Sequence, residues 1–265
     1  MTTAVLSRDD LRRLAPGIFA DRPWGGMSGR YRMVPTVEVA DILRDRGFLP
    51  VRAHQSRSRI PGKGAFTRHL IRFRHRSFLD APAPAVGGEL PELVLTNSHD
   101  GTSAYRFMAG IFRLVCGNGL VVQSADFGSI GVRHSGGADF HARIIEATCR
   151  VAEEAPRTME TIGAWGGIEL EPRQRLDFAA AAWELKPNPA ITPEQLLRPR
   201  RPEDDRPDLW RTLNRVQENL IRGDLGGVNA RGRRIRTRPV RSVEADLRIN
   251  RGLWRLAEST AAALN

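Results

Sequence analysis

From Phe66 to Arg76 apolar and charged residues follow the period of an extended strand. Successive side chains of such a strand point to opposite faces, so Arg68, Arg72, Arg74 and Arg76 share one side while Ile71 and Phe73 share the other. A second extended run, about Leu49 to Ile60, precedes it, and Pro61-Gly62-Lys63-Gly64 between them reads as a hairpin loop. A sheet begun this way has an apolar side for a core and a cationic side for a polyanion. Upstream, Pro16, Pro23, Pro35 and Gly25-Gly26 interrupt any long element. Thr36 then resembles the N-cap of a short helix marked by Val37, Ala40, Ile42 and Leu43 and closed at Gly47.

Downstream, Glu92 to Asn97 is a compact apolar strand, Asp100-Gly101 a turn, and Tyr105 to Val115 a long strand that turns at Asn118-Gly119 into Leu120 to Val122. Ala138 to Met159 has helical spacing through Phe140, Ile144, Ile145, Thr148 and Val151, and a second helix runs from about Pro172 to Leu185. Strands with short reversals followed by helices predict an α+β fold, an antiparallel sheet with helices packed on one face. From Lys186 onward six prolines punctuate a linker that reaches Asp208. Leu209, Leu213, Val216 and Leu220 mark a helix ending near Gly223, and Ser242 caps a last helix striped by Val243, Leu247, Trp254 and Ala257. The expected organisation is a core domain over 36–186 and an extension over 187–265, whose two helices pack on the core through Trp210 and Trp254.

Charge sharpens the picture. The formal net charge is +11 and the sequence pI about 11.1, in the range of nucleic-acid-binding domains. All basic residues except Lys63 and Lys186 are arginines. Arginine's planar fork suits phosphates and base edges, but a GC-rich coding bias produces the same preference. The distribution is therefore the better evidence. Arg44 to Arg76 carries nine arginines, one lysine and three histidines against Asp45 as its sole acid. A second cluster, Arg231, Arg233, Arg234, Arg236 and Arg238, contains no acid, and like charges so close together read as an interaction arm or a solvated loop. No apolar run is long enough for a membrane span, no signal-peptide core opens the chain, and Cys116 and Cys149 are too few for a disulfide framework or a thiolate zinc site. A cytoplasmic protein without cofactor or metal is expected.

Candidate chemistry is sparse. Asn97, His99 and Asp100 form a polar group between two apolar strands. His99 and Asp100 could serve as an acid/base pair or part of a metal site, although Asn, Ser, Asp and Gly are also what a tight turn requires. Cys116 reads as a small buried residue beside a turn, His134 and His141 lack ligand spacing, and the GKG at Gly62–Gly64 lacks the context of a phosphate loop. The helix over 209–222 offers Asn214, Arg215, Gln217, Glu218 and Arg222, a set that suits contacts or a plain solvated surface. Aromatics for stacking bases are few: Tyr31, Phe66, Phe73 and Tyr105. No catalytic residue is assigned.

Thr96 to Tyr105 and Gly110 to Val122, together with Val132-Arg-His134, Leu209-Trp210, Asn214 to Gly223 and Leu253 to Glu258, resemble the domain of unknown function 932 family, the phage/plasmid-like proteins. The resemblance covers about Thr36 to Glu258. It implies a protein of prokaryotic mobile elements and transfers no catalytic residue. The order of elements also resembles the core of single-strand annealing proteins, which assemble into rings with DNA in a positive groove; this is a fold-level analogy. The expectation is a non-catalytic protein binding DNA, single strands above all, through Arg57, Arg59, Lys63, Arg68, Arg72, Arg74 and Arg76, with the Arg231–Arg238 arm closing over them and homo-oligomerisation left open. Two alternatives stay open: an interaction protein that counteracts a host defence factor, and a metal-dependent nucleic-acid enzyme using His99 and Asp100.

Overall fold

A computed structural model of the protein describes residues 4–25, 33–79, 89–113, 119–121, 130–132 and 138–264. They fall into two compact units, one within Met1–Val121, Ala125–Ala155 and Ser242–Glu244, the other within Val122–Ser124, Pro156–Arg241 and Ala245–Asn265. The architecture is α+β, as the alternation of the sequence predicts.

The first unit opens with helix α1 (Arg8–Leu14), a short 3-10 turn at Pro16–Phe19 and helix α2 (Thr36–Asp45). Strands β1 (Phe48–Gln55) and β2 (His69–His75) follow, then the one-turn helix α3 (Arg76–Leu79) and strands β3 (Glu89–Asn97), β4 (Tyr105–Arg113), β5 (Gly119–Val121) and β6 (Ile130–Val132). They form a six-stranded sheet in the order β1-β2-β3-β4-β5, with β6 also on β4, and every pairing is antiparallel. Helix α4 (Ala138–Gly166) begins in this unit and continues in the second.

Register explains where the first core lies. His69, Ile71 and Phe73 of β2 pair with Asn97, Leu95 and Leu93 of β3, and Leu95 pairs in turn with Phe107 of β4. This face buries Ile71, Phe73, Leu93, Leu95 and Phe107 essentially completely. The opposite face of β2 carries Leu70, Arg72 and Arg74, and it is buried too. The run expected as one strand to Ile60 ends at Gln55, and the loop tightens into a 3-10 turn over Lys63–Phe66, so Phe66 lies outside β2. The cap of α2 also differs: Pro35 occupies the N-cap position, and Thr36 is the first helical residue with its side chain engaged elsewhere.

The second unit holds the rest of α4, helices α5 (Pro172–Trp183) and α6 (Leu209–Arg222), the hairpin strands β7 (Gly226–Val228) and β8 (Arg234–Arg236), and most of helix α7 (Val243–Leu264). Trp165 packs at 4.4 Å between ring centroids from Trp254 and 6.4 Å from Trp210, so α4, α6 and α7 meet within this unit through three tryptophans.

Helix α6 departs from the amphipathic surface helix its sequence suggests, because its polar residues are buried as well. Each has an internal partner. Glu218 is bound by Arg201 and by Arg222, Gln217 donates to Asn250 at 2.9 Å, and Asn219 donates to the carbonyls of Leu196 and Arg198. A buried polar group is tolerated only when so satisfied, and these side chains act as struts between α6 and its neighbours.

The end of α6 positions the hairpin. Gly223 adopts φ 65° and ψ −133°, a conformation open essentially only to glycine, and an added Cβ would lie 2.7 Å from the carbonyl oxygen of Thr237. Lys186 donates to the carbonyls of Leu220 and Arg238, tying the last turn of α6 to the segment that leaves the hairpin; burial pushes its pKa down.

Candidate functional site

Five buried polar side chains of the first unit meet at Thr36. Its Oγ1 lies 2.8 Å from His69 Nε2, 3.0 Å from His99 Nε2, 3.0 Å from Asn97 Nδ2 and 3.5 Å from the Tyr105 hydroxyl. All five residues are at 0% exposure. The protons can be assigned from the partners. A carbonyl can only accept, so His69 Nδ1, 3.2 Å from the Thr67 oxygen, carries a proton and leaves Nε2 to accept from the Thr36 hydroxyl. The Asn97 amide donates to Oγ1. His99 Nε2, facing the same oxygen, then donates to its remaining lone pair. Tyr105 sends its own proton to the Val34 carbonyl at 2.5 Å. The cluster pins the start of α2 to the ends of β2, β3 and β4, and its complete burial makes it a structural hub.

The His99-Asp100 pair, which the sequence leaves open between an acid/base role and a tight turn, is split. His99 turns inward to Thr36, and its backbone is clamped by the Phe66 carbonyl and the Trp24 amide. Asp100 turns to the Thr102 amide and hydroxyl, at 3.1 and 2.6 Å, and to Lys63 at 3.1 Å. Partial burial pulls the Asp100 pKa up, but hydrogen bonds from Thr102 and Ser98 and the Lys63 contact outweigh it and hold it below the ordinary carboxylate value. A carboxyl with a lowered folded pKa stabilises the fold above its unfolded value near about 4 and loses that contribution as pH falls through the folded value. Asp100→Asn should therefore lower the urea midpoint at pH 7, with the difference from wild type shrinking towards pH 3. Among the described residues no three His, Cys, Asp or Glu side chains are grouped to hold a metal ion.

The arginines predicted to share one cationic face separate. Arg57, Arg59 and Arg76 are exposed. Lys63 is engaged by Asp100, and the half-buried Arg68 reaches Glu244 at 3.2 Å and the Thr102 carbonyl at 3.0 Å. Arg72 and Arg74 correct the expectation outright: at 4% and 2% exposure they are internal. Both close on Glu92 of β3, Arg72 Nε at 2.5 Å from one carboxylate oxygen and Arg74 Nη2 at 2.8 Å from the other. The alternation assigns their side of the strand correctly, but that side is covered, so neither can meet a polyanion.

The second cluster is open, and it is folded. Gly226, Gly227 and Val228 pair with Arg236, Ile235 and Arg234 in a two-stranded ribbon. The tip is held by Asn229, whose Oδ1 accepts from the amides of Arg231 and Arg233 at 3.0 Å each. Arg231, Arg233, Arg234, Arg236 and Arg238 are all exposed. Arg236 faces Asp224 at 2.9 Å, a pair exposed on both sides; the other four have no acidic partner among the described residues. A concavity of about 610 Å³ is lined by Gly226, Gly227, Val228, Arg234, Ile235 and Arg236. Tyr31, Cys116, His134 and the side chain of His141 lie outside the described residues, and Cys149 is an exposed free thiol.

The family described as Domain of unknown function (DUF932) matches residues 23–254, which take in both the Thr36 hub and the arginine hairpin. The chain belongs to this family. The chain is also similar to the UPF0380 proteins YafZ and YfjQ of Escherichia coli (strain K12), each 38% identical over 262 residues, 98% of this chain and 93% of the relative. No solved structure matches the chain. Among the described residues of this DUF932 member, no helix is long and apolar enough to cross a membrane.

Proposed function

We propose that this DUF932 protein binds nucleic acid as a non-catalytic accessory factor, and that the β7–β8 hairpin supplies the principal phosphate contacts. The observation that carries this reading is the ordered ribbon with five exposed guanidiniums, four of them without an acidic partner among the described residues. Exposed arginines without carboxylates are free to exchange counterions for phosphates, and a pre-folded ribbon loses little conformational entropy in doing so. Arg57, Arg59 and Arg76 add exposed positive charge on the first unit. The family resemblance favours a role in replication or recombination on a plasmid or phage.

Nuclease-treated protein titrated against labelled DNA across a salt series tests the proposal. The logarithm of the binding constant should fall against the logarithm of salt with a slope of about −4, as expected if most of the five guanidiniums each meet a phosphate. An absence of binding at moderate salt would direct the hairpin to an acidic protein instead.

A further inference from the structure

We infer that the hairpin is built to enter the major groove of B-form duplex DNA, a conclusion that rests on the nucleic-acid reading above and names its form. The inward face of the ribbon is committed to the fold. Gly227 and Ile235 are half-buried, and a Cβ on Gly227 would stand 2.0 Å from the Ala190 carbonyl oxygen. The outward face presents Gly226, Val228, Arg234 and Arg236, all exposed. The tip adds Arg231 and Arg233, with the backbone between them fixed by Asn229 and by the Gly232 amide donating to the Asn229 carbonyl.

Three features separate duplex DNA from the other polynucleotides. First, Leu225 to Arg241 contains no aromatic residue, whereas binding of single strands depends on rings for bases to stack on. Second, the major groove of B-DNA, about 12 Å wide, admits a two-stranded ribbon, whereas that of A-form RNA is too deep and narrow for side chains to read. Third, the outward face has the residue types that read major-groove edges. Arginine forks suit guanine O6 and N7, and the 54%-exposed Val228 opposite Arg234 offers an apolar contact for a thymine methyl.

The test compares the full-length protein on a short mixed-sequence DNA duplex, each of its single strands, and the same sequence as duplex RNA, at one salt concentration. Duplex DNA should bind at least about tenfold more tightly than the other forms, the discrimination expected of one good base contact. Arg231→Glu with Arg233→Glu should reduce duplex affinity to the single-strand level with the melting temperature unchanged, because both side chains are exposed. Replacing guanine by 7-deazaguanine deletes the N7 acceptor in the major groove and should weaken duplex binding without the protein being altered. Single strands or duplex RNA binding as tightly as duplex DNA, or affinity unmoved by 7-deazaguanine, would overturn the inference while leaving nucleic-acid binding intact. No salt-sensitive binding to any form would overturn both.

Discussion

Replacing Glu92 by leucine should destabilise the first unit by about 3–5 kcal/mol, the cost of removing one partner from a buried ion pair. The carboxylate is shared by Arg72 and Arg74, and all three groups are almost wholly buried, so the guanidiniums left behind cannot recover solvation without opening the sheet. Urea denaturation at neutral pH measures the loss directly. A second variant separates charge from shape. Arg72→Met and Arg74→Met combined with Glu92→Leu should recover most of the stability, since an apolar replacement of a whole buried ionic group is often close to neutral. A single Glu92→Leu change that left the urea midpoint in place would mean that this face of β2 is open to water, contrary to the structure.

Thr36→Val should have a loss of similar size from a change of nearly equal volume. The methyl that replaces the hydroxyl removes a partner shared by His69, His99 and Asn97 in a fully buried site, and each buried polar group that loses this partner costs about 1–3 kcal/mol. The expected total is at least about 3 kcal/mol on that basis. Thr36→Ser keeps the hydroxyl and deletes a methyl, so its cost should stay near about 1 kcal/mol. Equal losses for the valine and serine variants would show that Thr36 contributes packing alone and that the proton assignment of the hub is wrong.

Both sites show how far the sequence could be read. The period-two alternation of β2 placed Arg72 and Arg74 opposite Ile71 and Phe73, and the register agrees. Alternation fixes the side of a strand and carries no information about what covers it. The covering partner, Glu92, stands 20 residues from Arg72 on β3, where it shares a strand face with Val94 and Thr96 and lies between Pro91 and Leu93. An acidic residue so placed beside a cationic strand was the available signal. The hub had less. Asn97 and His99 stood out as polar residues at a strand end, but Thr36 is 33 residues from His69 and 63 from His99, and its position at a helix start suggested a cap. In α6 the apolar spacing gave the helix and its limits correctly, while the burial of Gln217, Glu218 and Asn219 depends on Arg201, Asn250 and the carbonyls near Leu196, which no local pattern announces.

The arginine hairpin shows the converse. Close like charges read as an interaction arm or a solvated loop and do not announce a paired ribbon. The backbone is nevertheless closed by Asn229 at the tip and, at the base, by the Thr237 amide donating to the Leu225 carbonyl, and the side chains project outward, where solvent screens them. Asn229 and Gly232 are turn residues with the right chemistry, and they were the legible signal.

Charge reversal in the hairpin tests the central claim most directly. Wild-type protein and the Arg233→Glu/Arg234→Glu variant would be titrated side by side against labelled duplex DNA over a salt series, with thermal unfolding of each as the control. The account predicts at least a tenfold loss of affinity, a salt slope shallower by about 1 for the phosphate contact of Arg233, and an unchanged melting temperature. Equal affinity and equal slope in the two proteins would place the phosphate contacts elsewhere and contradict the assignment of the hairpin as the nucleic-acid interface.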